Sequence, residues 1–171
     1  MPQEHRKRLS LQDVKEAAET TLLRNGMHAS LVIAEGSRQV ISTHIERMAD
    51  SHEARLNQML VLGGLLAQTG EVGVLYQVFF ITEAWLSLSV GQSVPIQPPS
   101  QDPQRREVLI VSQRVLQPIQ TTIAMLEMKR DPTGKLLGVE DLDVDRQPAT
   151  SRSMQSPLMD AFVLGFLSYR S

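Results

Sequence analysis

Four groups of side chains in this sequence have types and spacings from which chemistry can be built. The densest is acidic: Glu140-Asp141-Leu142-Asp143-Val144-Asp145. Alternate positions of an extended strand share a face, so Asp141, Asp143 and Asp145 would line up there. Three aligned carboxylates can hold Mg²⁺ or Ca²⁺. An EF-hand loop would need Gly at position 146 and Glu at 152, and both are Arg, so that motif fails. A solvated strand end produces the same pattern, because unpaired acidic clusters ordinarily sit in water.

Glu83 is the second candidate. It stands in the most apolar run of the chain, two residues from Trp85. A carboxyl group taken out of water has its pKa raised, which suits acid–base work if a cleft opens beside it. The competing account is an ion pair with Arg105, Arg106 or Arg114. The third group is His44 and His52, with Glu46 and Glu53 nearby. Two imidazoles and a carboxylate can bind a transition metal. On a single helix, however, eight positions leave the two rings about 80° apart. The fourth is Arg6-Lys7-Arg8, a short basic run beside Glu4 that fits a solvated tail better than an anion site.

Other chemistries are missing at the level of composition. The 171 residues include no Cys, which excludes thiol nucleophiles, disulfides and every Cys-ligated metal site. There is no phosphate-binding glycine loop, no G-x-S-x-G and no H-E-x-x-H. The 17 basic and 19 acidic residues give a net charge of −2, and aromatic residues make up only 4%. Neither figure favours nucleic acid as a partner.

The distribution of charge shows which part of the chain must position these groups. Residues 56–100 hold no Lys or Arg and only Glu71 and Glu83, whereas the flanking segments are evenly charged. Such a stretch belongs in a core. It does not read as a membrane span, because Met59–Ala67 is only nine residues long and Val72–Val90 is broken by Gln77 and Glu83.

Residues 1–9 read as a flexible tail and 10–171 as one domain. Ser10, with Asp13 three residues on, opens a helix over 11–25 on the stripe Leu11, Val14, Ala18, Leu22, and Gly26 stops it. Residues 29–34 and 39–43 predict a hairpin around Glu35-Gly36-Ser37. A second helix is expected from Asp50, with Glu53 completing a capping box. Its apolar stripe is Leu56, Leu60, Gly63 and Ala67, and Gly70 ends it. Gly63-Gly64 implies close packing, here expected against a sheet. Val74–Ser87 is apolar on both alternating faces and predicts a long central strand, with a bulge near Glu83–Trp85.

A Pro-rich connection over 90–106 follows, then strands at 107–115, 121–129 and 136–142. Pro118 marks the first break and Asp131-Pro132-Thr133-Gly134 the second. Ser156-Pro157 starts a terminal helix on Leu158, Phe162 and Phe166. Its apolar width, which includes Met159, Val163 and Leu167, exceeds what one sheet contact needs.

These elements predict an α+β protein: a mainly antiparallel five- or six-stranded sheet packed with two to three helices. The expected function is a non-catalytic, cytoplasmic binding or interaction module. It would be a homo-oligomer, joined through the terminal helix or an open strand edge, with a protein partner, no nucleic acid, no membrane and no cofactor. The alternative is a metal-dependent hydrolase with Glu83 and Trp85 at a catalytic centre, or Asp141, Asp143 and Asp145 on a metal.

Overall fold

The structure, a computed structural model, describes residues 6–86, 105–142 and 156–169. Helix α1 runs Leu11–Asn25. The Ser10 hydroxyl accepts the Asp13 N–H at 3.1 Å, and the Asp13 carboxylate accepts the Ser10 N–H at 3.1 Å. That reciprocal pair satisfies two otherwise orphaned donors. Gly26, at φ +74°, turns the chain into the left-handed region and donates to the Leu22 carbonyl.

Strands β1 (Ser30–Gly36) and β2 (Val40–Ile45) form the expected hairpin. Helix α2 (His52–Thr69), strands β3 (Leu75–Leu86), β4 (Arg106–Leu116), β5 (Ile119–Arg130) and β6 (Leu136–Leu142), and helix α3 (Pro157–Ser168) complete the order. The fold is α+β, with one six-stranded sheet in the order β2-β1-β3-β4-β5-β6 and every neighbouring pair antiparallel.

The two apolar faces of β3 supply two cores. Phe79 and Ile81 point to α1 and meet Val14, Ala18, Leu22, Leu109, Val111 and Leu126. Val78 and Phe80 point the other way, toward Met59, Leu66, Met159, Phe162 and Phe166 of α2 and α3. A side chain such as Phe79, wholly buried, contributes about 1.5–3 kcal/mol by burial.

Several local expectations are corrected. The N-cap of α2 is Ser51, not Asp50: its hydroxyl accepts the Ala54 N–H, and the helix begins at His52. Its buried stripe is Met59, Gly63, Gly64 and Leu66. Leu60, expected in the core, is 37% exposed. The reason lies in Gly63, which packs against the backbone of α3 and not against the sheet. A Cβ there would strike the Phe162 carbonyl oxygen, and one on Gly165 would strike the Leu60 carbonyl. The two helices meet backbone to backbone, and that contact sets which face of α2 turns inward. The bulge expected at Glu83–Trp85 is absent, since β3 and β4 pair without a shift from Gln77 to Leu86. The irregularity falls instead at Glu35/Gly36, between β1 and β3.

Arg130 ties three elements together. It makes two hydrogen bonds to the Glu107 carboxylate, at 2.8 and 3.0 Å, and donates to the carbonyls of Gly26 and Gly134. The hydrogen-bonded Glu107 raises its pKa further above the ordinary Arg value, with a smaller push from Glu83. The β5–β6 turn is held by Asp131, whose carboxylate accepts from the Thr133 hydroxyl and the N–H groups of Thr133 and Lys135.

Candidate functional site

Each candidate group meets a different fate in the fold. Glu83 and Trp85 do share a concavity. It is about 510 Å³, lies at the end of β3, and is bordered by Met48, Arg55, Phe80, Thr82, Ala84 and Leu158. Glu83 accepts a short hydrogen bond, 2.6 Å, from the His28 N–H. Two of the expected ion-pair partners are placed elsewhere: Arg106 pairs with Glu127 and Arg114 with Asp160. Trp85 is 44% exposed and carries the Arg105 guanidinium over its ring at 4.4 Å. The carboxylate thus anchors the chain between α1 and β1. The indole makes a cation–π contact.

Of the acidic group, Glu140 and Asp141 lie within the described residues. Asp143 and Asp145 fall outside them, as do residues 90–104 of the Pro-rich connection expected over 90–106, whose last residue, Arg106, instead starts β4. Asp141, next to the last residue of β6, forms an ion pair with Lys15 of α1. His44 sits in β2 and His52 starts α2, so the two do not share a helix. Among the described residues, no three His, Asp or Glu side chains converge on a point that could hold a metal ion.

The structure also shows a polar site that sequence reading missed. Glu35, Gln77 and Gln113 stand in a row across β1, β3 and β4, beneath the start of α1. Glu35 and Gln77 are only 3% and 4% exposed. The Gln77 amide donates to Glu35 at 2.5 Å and to the Leu9 carbonyl at 2.9 Å, while Gln113 donates to the Gln77 oxygen at 2.7 Å. Glu35 also accepts the Leu9 N–H at 3.1 Å. Arg8 lies over the Tyr76 ring at 4.2 Å. The last residues of the expected tail are therefore held against the sheet. The row meets its own hydrogen-bonding needs, so its role is to fix the entry to α1. Its only sequence signal is weak: Gln77 interrupting an otherwise apolar strand.

A third region has the character of a contact surface. Several outward side chains of α2 and α3, together with Tyr169 just past α3, are large and apolar: Val61 is 50% exposed, Leu65 53%, Leu164 58%, Leu167 50% and Tyr169 58%, while the first turn of α2 exposes His52, Glu53 and Arg55. Between the helices lies a shallow concavity of about 290 Å³, floored by Gly64 and Gly165. Residues 57–69 contain no charged side chain, and Asp160 is the only one in α3. Phe166, on the expected apolar stripe of the terminal helix, is 1% exposed and belongs to the core. The helix uses Met159, Phe162 and Phe166 inward and leaves Leu164 and Leu167 outside. No helix among the described residues is long and apolar enough to cross a membrane.

Compared with protein-family models, curated proteins and solved structures, the chain finds no match in any of the three.

Proposed function

We propose that this chain is a non-catalytic binding module that self-associates through the outer surface of α2 and α3. The observation that carries this reading is the uncharged, largely apolar concavity around Gly64 and Gly165, lined by Leu60, Val61, Leu65 and Tyr169 together with Gln68 and Ser168. Side chains this large, clustered and half in water, are the usual mark of an interaction surface. A second copy is the occupant that the chemistry favours. A face without charge does not repel itself, and a two-fold contact lets one patch serve both partners. The net charge of −2 adds little long-range repulsion.

Sedimentation equilibrium at micromolar concentration tests it. The expected average mass is at least twice the 19.1 kDa of one chain, and Leu65→Glu lowers it while leaving the melting temperature near that of the wild type. A mass of 19.1 kDa throughout, or one that Leu65→Glu leaves unchanged, overturns the reading. The alternative, a metal-dependent hydrolase, is tested by thermal shift with Mg²⁺, Ca²⁺, Mn²⁺ and Zn²⁺. A stabilisation lost in Asp143→Asn would favour it.

A further inference from the structure

Among the described residues every strand of the sheet has two neighbours except β2 and β6, and these two edges differ in chemistry. Strand β6 contains Glu140 and Asp141, both exposed, and its pairing with β5 shifts register at Lys129/Arg130. Charge and irregular pairing are the ordinary protections of a free edge. Strand β2 has neither. Its residues, Val40-Ile41-Ser42-Thr43-His44-Ile45, include no Lys, Asp, Glu or Pro. They pair with β1 over six consecutive positions without a shift. A straight, uncharged edge of this kind is a template for another strand.

We infer that the free edge of β2 pairs antiparallel with β2 of a second copy of this chain, with Thr43 on the two-fold axis. This goes beyond the α2–α3 contact and uses a separate surface. The register follows from side-chain direction. Directly opposite residues of an antiparallel pair share a face, so the central residue of a two-fold pair must face itself. Near the middle of β2 that residue is either Ser42 or Thr43.

The Thr43 register sets Ile41 opposite Ile45 of the second copy. Ile45 is buried in the core beneath α2, and Ile41 packs against the same cluster, so this pairing continues an apolar row from one subunit into the next. The Ser42 register instead sets Ile41 against Thr43 and breaks that apolar row, while Val40 meets a polar residue in either register, His44 or Glu46. Charge is compatible with the Thr43 register as well. Glu46 and Arg38 flank the two ends of β2, and both are exposed. The register brings Glu46 of one copy to the end where Arg38 of the other, which also donates to its own Gly70 carbonyl, is found.

Because the chain contains no cysteine, a single introduced thiol reports this contact cleanly. Opposite Cα atoms in an antiparallel pair lie about 4.5–5.5 Å apart, inside the usual disulfide span of about 4.4–6.8 Å. With oxidised glutathione as oxidant, Thr43→Cys is expected to form a disulfide-linked dimer at least about tenfold faster than Ser42→Cys, because only the first pair lies within disulfide reach. The cross-link persists when Leu65→Glu is added, since that residue lies on α2. Equal rates, no cross-link, or a faster Ser42→Cys overturns the inference. Hydrogen exchange on the unmodified chain gives an independent reading. The amides of residues 40–45 should become more protected as protein concentration rises, and protection independent of concentration overturns it.

Discussion

On one side of the sheet, α1 turns Val14, Ala18 and Leu22 inward and gives Gln12, Glu16 and Arg24 to water. On the other, α2 and α3 are apolar toward the sheet and toward each other, and they also turn Leu60, Val61, Leu65, Leu164 and Leu167 to solvent beside exposed His52, Glu53, Arg55, Gln68 and Asp160. A helix that serves one core needs one apolar stripe, and its outer face is free to be charged. Here α1 is also held by polar devices: its capping box, the Lys15–Asp141 ion pair, Arg130 on the Gly26 carbonyl, and the Glu35–Gln77 row under its first turn. The α2–α3 layer has an ion pair to the sheet, Arg114–Asp160, and otherwise relies on close packing, with backbone approach through Gly63 and Gly165. One layer is tethered to the sheet by several specific bonds. The other is mainly packed, and part of its outer surface is made of the same kind of side chains as its interior.

The largest expected effects lie where packing leaves no room. Gly165→Val forces branched carbons into the Leu60 backbone, and its cost should exceed the roughly 1–3 kcal/mol usual for overpacking. Phe79→Asp puts a charge at a wholly buried position. Both should yield no cooperative melt. Leu60→Asp, at a position 37% exposed, should fold. A Leu60→Asp variant that fails to fold would erase the distinction between the inner and outer faces of α2.

Next is the polar side. Glu35→Ala strands the Leu9 N–H and one Gln77 donor in a buried setting, at an expected cost of about 2–3 kcal/mol. The shift of the urea midpoint measures it, and a loss below about 0.5 kcal/mol would mean that water replaces the carboxylate. Leu65→Glu, on the packed layer's outer face, should change stability by no more than about 0.5 kcal/mol while reducing the assembled mass.

The smallest effect separates two helix caps. Ser10→Ala and Ser51→Ala should each cost about 1 kcal/mol at neutral pH. Only the Ser10 cap is reciprocal, with its hydroxyl and backbone N–H both donating to Asp13. The Ser10 side chain, and then its backbone, hold the Asp13 carboxyl below the ordinary range. A depressed carboxyl stabilises the fold above its unfolded pKa of about 3.9, and that contribution disappears as pH falls through the folded value. The cost of Ser10→Ala should therefore shrink below about pH 4, while that of Ser51→Ala stays level. Parallel pH profiles for the two variants would show that Asp13 plays no part in the cap.

Local signals made most elements legible. Ser10, Asp13 and Gly26 bound α1 to the residue, and the alternation in β3 announced a strand covered on both sides. The bulge near Trp85 and the Asp50 cap failed because neighbours decide them: an unbroken β4 partner in one case, and a better-placed Ser51 hydroxyl in the other. The candidate sites were less legible. Glu83 was singled out for its apolar surroundings, but a bond to the His28 amide uses it. Glu35 drew no attention because it looked like a turn residue.

What the sequence determined alone is whatever short-range spacing encodes: helix stripes, caps, turn chemistry, and a charge-free middle third that must supply the core. Tertiary structure decided which partner each apolar face meets. The period of α2 permits a stripe through Leu60 or one through Met59 and Leu66. Only the approach of α3, with Gly63 and Gly165 backbone to backbone, selects the second and leaves Val61 and Leu65 in water. A residue's type fixes what it can bury. Whether it is buried depends on an element about a hundred residues away, and no local spacing records that contact.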